Sequence, residues 1–66
     1  MFDKIKTKVK FRHEMRKIIR EERKFTREAV CRFMEETDPE LAKAYLVCMK
    51  YHATREAMAR KAIREA

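Results

Sequence analysis

The sequence predicts an all-α protein, an antiparallel two-helix hairpin occupying residues 1–66 as one domain. Three observations carry that prediction. The first is a heptad: residues 13–33 read as three successive units, His13 to Ile19, Arg20 to Thr26 and Arg27 to Phe33, with charged and apolar columns recurring every seven residues. Seven residues make two helical turns, so each column keeps one face of a long helix. The second is composition. Gly, Ser, Asn, Gln and Trp are missing and Pro occurs once, while Ala, Glu, Lys, Arg and Met dominate. Those are good helix formers, and the missing residues include the ones that tight turns between strands require. The third is a single break signal, Thr37-Asp38-Pro39-Glu40, which leaves a long helical segment on either side.

Helix 1 is expected over about residues 3–36. Its first stretch has two readings. Residues 4–12 alternate basic side chains with Ile5, Thr7, Val9 and Phe11 as a strand does, yet Phe2, Ile5 and Val9 also fit one side of a helix capped by Asp3. A lone strand has no partner in this chain, so the helix is preferred. Two such strands paired across a dimer would instead resemble a ribbon-helix-helix repressor.

The turn is expected at residues 37–38 and helix 2 over about 39–65. Asp38 precedes a proline, which pushes it out of the helical region, whereas Pro39 at a first helical position loses no needed hydrogen bond. Either Asp38 caps helix 2, or Thr37 does so with Glu40 in a capping box. So short a connection makes the helices antiparallel neighbours.

A hairpin requires facing residues whose numbers add to a constant, and one register satisfies this along the chain. It sets Phe33 against Ala44, Ala29 against Cys48, Phe25 against Tyr51 and His52, and Ile18 against Ala59. Met15 then meets Ala62, and Phe11 meets Ala66. Large residues oppose small ones, as interdigitation demands. Glu22 and Arg55 meet in the middle of this apolar seam and are expected to form a cross-hairpin ion pair that fixes register. Residues 1–10 overhang helix 2 as a basic arm. Tyr45, Met49, Ala53 and Ile63 flank the seam on helix 2, and Ile19, Val30 and Met34 flank it on helix 1. These are the expected homodimer interface, with two hairpins packing as a four-helix bundle. A chain of 66 residues buries little of its own surface, which gives self-association its motive.

The net charge of +7 lies in the first half: residues 1–32 hold twelve Lys and Arg against five acids, and residues 33–66 hold six against six. Arg12, Arg16, Arg20, Arg23 and Arg27 recur three or four apart, with Lys17, Lys24 and Arg32 beside them and Lys4, Lys6, Lys8 and Lys10 on the overhang. Pairs such as Glu14 with Lys17, Glu21 with Lys24 and Glu28 with Arg32 would occupy part of this charge. The arginine surplus suits a polyanion, because the guanidinium fork matches phosphate oxygens. No Asn or Gln is present to read adenine edges, and Phe11, Phe25, Phe33 and Tyr51 are assigned to the seam, so base readout and stacking are poorly supplied. The expected partner is therefore a nucleic-acid duplex recognised by backbone and shape, with RNA placed ahead of DNA. Basic hairpin dimers of this build resemble plasmid RNA-complex modulators and the duplex-RNA-binding silencing suppressors of small viruses. The resemblance is architectural, with no shared motif, and implies a viral or plasmid-borne regulator.

The alternative is a protein-binding hairpin, an inhibitor or adaptor whose flank of Tyr45, Met49 and Ile63 docks an acidic partner. Membrane-surface attachment through Phe2, Ile5 and Val9 ranks last. Enzymatic activity and cofactors are not expected, since His13 and His52 have no Ser, Asp or activated Cys at a catalytic spacing. Cys48 and His52, four apart, could form half a zinc site, but a buried thiol beside an imidazole explains them more simply and no metal is expected. Cys31 falls on the polar back and Cys48 on the seam, which predicts free thiols. With no apolar run near the roughly 20 residues of a membrane span and no signal-peptide core, a reduced, cytoplasmic chain is expected.

Overall fold

In the computed structural model, which describes residues 2–66 apart from the side chain of Phe2, two α-helices make the whole architecture: α1 (Phe2–Glu35) and α2 (Pro39–Glu65). Residues 36–38 connect them, and contacts between Glu22 and Arg55 and between Arg23 and Glu56 pair the middle of α1 with the second half of α2. The result is an antiparallel hairpin, a rod whose Cα positions span 56 × 15 × 11 Å.

The alternating segment is helical from Phe2 onwards, which overturns the strand reading and the ribbon-helix-helix alternative that depended on it. Extending an existing helix adds one hydrogen bond per residue fixed, whereas a strand here would have no ladder to join. Asp3 stands in the first turn, where its charge complements the helix dipole, and Thr7 Oγ1 donates to the Asp3 carbonyl at 2.7 Å. At the other end α1 stops at Glu35, a residue earlier than expected, and the Glu36 amide bonds the Phe33 carbonyl at 3.4 Å.

The cap of α2 is Asp38 and not Thr37. Its backbone is extended (φ −81°, ψ 119°), and its Oδ1 accepts from the Glu40 amide at 2.9 Å. The Asp38 amide is itself held by Glu36 Oε1 at 3.1 Å. Pro39 then opens the helix, and the first helical bond runs from the Ala42 amide to the Asp38 carbonyl at 2.9 Å.

The core is a thin seam. Ile19, Ala29, Ala59 and Glu22 are buried, and among the described residues no large side chain is fully enclosed. Met15, Thr26 and Val30 of α1 and Tyr45, Met49, His52, Glu56 and Ile63 of α2 are half-buried beside them. On α2 the inward positions are therefore Tyr45, Met49, His52, Glu56, Ala59 and Ile63, alternately four and three apart. This corrects the expected seam: Ala44, Cys48 and Tyr51 are exposed, as is Phe25. The register along the axis is the expected one, but α2 is rotated by about one position. The rotation brings in Tyr45 and Met49 in place of Ala44 and Cys48, while Ala62 stays half-buried beside Ile63; burying the larger residues removes more apolar area from water.

Candidate nucleic-acid interface

All five arginines of the expected stripe, Arg12, Arg16, Arg20, Arg23 and Arg27, are exposed on α1, as are Lys8, Lys10, Lys17 and Lys24. What the helix periodicity alone does not reveal is the second wall. On one flank of the hairpin an open groove of about 720 Å³ runs between the helices, with Arg16, Arg20, Arg23 and His13 on the α1 side. Arg60 and Arg64 line it from α2, and Ile19 and Ile63 belong to its lining. The basic surface continues around α1, where Arg20, Arg23, Lys24, Arg27 and Arg32 share a shallow surface with Cys31 and Glu28.

Arg60 and Arg64 were missed because the charges of residues 33–66 balance. The available signal was local: both sit within one turn of Ile63, a seam residue, so they project beside the seam rather than away from it.

The groove is undercompensated. Glu56 is its one carboxylate neighbour among the described residues, with Oε2 accepting from Arg60 Nε at 3.2 Å and Oε1 lying 3.9 Å from Arg23 Nε. Arg16, Arg20 and Arg64 have no carboxylate within 4.0 Å among the described residues. The expected pairs of Glu14 with Lys17, Glu21 with Lys24 and Glu28 with Arg32 are not formed either, which is a correction. Exposed Lys and Glu chains gain little from a fixed geometry, so no pairing is enforced there.

The middle of the seam is polar. The Glu22 carboxylate, nearly enclosed, takes Arg55 Nε on Oε1 at 2.8 Å and the His52 Nδ1 on Oε2. The structure thus brings Glu22 and Arg55 together, as the register requires, and adds His52, which that register had set against Phe25. Phe25 also reaches His52, with ring centroids 5.2 Å apart. Tyr51 stands edge-on to His52 at 5.2 Å and accepts from Arg55 Nη1 at 3.1 Å. With its Nδ1 held by Glu22 and Cys48 exposed, His52 packs as part of this layer. Both cysteines are free and exposed, so Cys48 is not the buried thiol expected.

The residues expected at the dimer surface are divided between the seam and the exterior of the single hairpin. Ile19 is buried within the single hairpin, and Tyr45, Met49, Val30 and Ile63 are half-buried in its seam. Ala53 and Met34 remain exposed, Met34 at 77%. Among the other exposed apolar residues, Ile5, Val9, Phe33, Leu41 and Leu46 are spread along the rod, and Phe25 on α1 and Val47, Tyr51 and Met58 on α2 fall in its middle part. Tyr51 and Met58 line a concave surface together with Met15, Ile18 and Arg55. On α1 Ile18 falls on this side and Arg16 and Arg20 on the other; on α2 Met58 falls on this side and Arg60 and Arg64 on the other. In the middle of the hairpin arginines line one flank, and Ile18, Tyr51 and Met58 lie on the opposite one.

No protein-family model, curated protein or solved structure matches the chain. No helix is long and apolar enough to cross a membrane among the described residues. Chemically, the arginine flank can hold phosphate oxygens from two helices at once. It offers no base-reading amide, and its aromatic neighbours Phe25 and Tyr51 lie on the wrong side to stack on a strand held there.

Proposed function

We propose that this chain binds nucleic-acid duplexes, RNA ahead of DNA, through backbone and shape at the arginine groove, and that it acts as a homodimer without enzymatic activity in the cytoplasm. The observation that carries this reading is the uncompensated charge of the groove. Five arginines from two helices line one groove, two of them near the Glu56 carboxylate, and the surplus of like charge favours an anion among them. A phosphate backbone relieves that repulsion, accepts bidentate bonds from each arginine, and releases its own counterions. Lys4, Lys6, Lys8 and Lys10, exposed on the first turns of α1, extend the positive surface along the duplex as a basic overhang. A regulatory role of the viral or plasmid-borne kind, such as silencing suppression, fits a small protein that covers duplexes without reading them.

The second reading, a protein-binding hairpin, is favoured by one specific observation, the exposed Phe25, Val47, Tyr51 and Met58. Its docking surface would be this flank, which is more exposed than Tyr45, Met49 and Ile63. A gel-shift series with duplex RNA, duplex DNA and single strands at two salt concentrations separates the two readings. The nucleic-acid reading expects duplexes to shift at low salt, irrespective of sequence, and the shift to weaken steeply as salt rises. Absence of duplex binding at low salt would remove it and leave the protein-binding hairpin.

A further inference from the structure

Beside the inward seam of α2 runs a second one. Ala44, Cys48, Tyr51, Arg55, Met58 and Ala62 are spaced alternately four and three apart, each one position before a residue of the inward seam. On α1 Phe11, Ile18 and Phe25 recur at sevens along the same flank. A helix in a hairpin has one neighbour and needs one seam, whereas a helix in a four-helix bundle has two neighbours and needs two. Three more observations bear on what covers this flank. The chain's accessible surface is 5874 Å², whereas a folded monomer of its mass exposes about 4,500 Å². The excess of roughly 1,400 Å² exceeds the roughly 800 Å² per partner that a stable interface takes. The flank's polar layer, Glu22 with Arg55, neutralises itself. For a chain of +7 it is the side on which a second +7 chain can approach.

We infer that a second copy of this chain packs on the flank of Phe25, Val47, Tyr51 and Met58, and that the dimer bridges two separate duplexes. The second step follows from the first and rests on the proposed function. The arginine groove and the apolar flank lie on opposite sides of each hairpin, so packing two apolar flanks together turns the two grooves outward. A bundle two helix layers thick, with layers about 10 Å apart, then separates them, and one straight duplex cannot enter both. The dimer joins two duplexes and holds them on opposite faces.

Sedimentation and a capture assay test this together. The wild-type chain at micromolar concentration should sediment at twice its 8.1 kDa mass. On an immobilised RNA duplex it should retain a second, labelled duplex. Val47→Lys with Met58→Lys changes two residues that are exposed in the hairpin (66% and 65%), so the hairpin itself should persist in circular dichroism. That variant should sediment as a monomer, still shift a duplex in a gel, and lose capture of the second duplex at least tenfold. Met34→Lys, in line with Arg23 after three helical turns and so on the other flank, should behave as wild type. A monomeric wild type, a Val47→Lys/Met58→Lys chain that still dimerises, or a dimer that binds one duplex and captures no second would each overturn the inference. A wild-type dimer that binds no duplex overturns bridging through the proposed function itself, a failure distinguishable from the others because self-association survives it.

Discussion

Glu22 holds the middle of the hairpin by accepting from two side chains of α2 at once. A carboxylate with so little exposure is tolerable because both oxygens are used, and removing either partner leaves a costly unpaired charge. Arg55 contributes from the exposed side of the layer. Its guanidinium is held above its ordinary pKa first by Tyr51, through the bond to the hydroxyl and the attraction of its charged form, and then by Glu22. A raised basic group stabilises the fold below its unfolded pKa and loses that contribution only as pH rises through the folded one. The Arg55 guanidinium itself should therefore remain charged at neutral pH, and its contribution should decline as pH rises only in strong alkali, as thermal melts against pH would record. Glu22→Arg puts two like charges at this point and should lower Tm by on the order of 10 °C. Adding Arg55→Glu should restore part of the loss, and strictly additive losses in calorimetry would contradict the contact. The pairing of Glu22 with Arg55 was legible because two charged residues interrupt apolar columns at matching positions. The role of His52 was not, because a histidine at a seam edge fits an apolar, polar or metal-bound setting equally well by pattern.

Each helix was legible as an element because its period, caps and composition agree. The choice among faces was not legible on α2. Its two adjacent seams are both largely apolar, and hydrophobic periodicity cannot rank stripes one residue apart; the bulk of Tyr45, Met49 and Ile63 decides between them. This rotation also explains why Tyr45, Met49 and Ile63 are half-buried within the hairpin. The cap gives a sharp test at this scale. Asp38→Ala should cost about 1 kcal/mol by losing the bond to the Glu40 amide, while Thr37→Ala should fall within about 0.5 kcal/mol of wild type. Equal losses at both positions in urea denaturation would argue for a shared cap. Ala29 faces the seam and is buried, so Ala29→Leu should overpack it and cost about 1–3 kcal/mol. Unchanged stability in the same measurement would mean that the seam is looser than described.

At the scale of the whole molecule, the chain separates its chemistry by side. Charge counting identified the basic half of the sequence, but the groove needs both helices, and only folding brings Arg60 and Arg64 to Arg16, Arg20 and Arg23. A stripe on one helix would touch a duplex along a line, whereas a two-walled groove can hold a strand of phosphates between its rims. That difference is measurable. These arginines are exposed, so replacing them should change folding stability by less than about 0.5 kcal/mol. The most direct test is the salt dependence of duplex affinity for the wild type and for Arg60→Ala with Arg64→Ala. Each phosphate contact contributes about −0.9 to the log–log slope on B-DNA, so the double variant should flatten the slope by nearly two contacts and weaken binding to a similar degree on every sequence. An unchanged slope and affinity would contradict the groove as the site of phosphate binding.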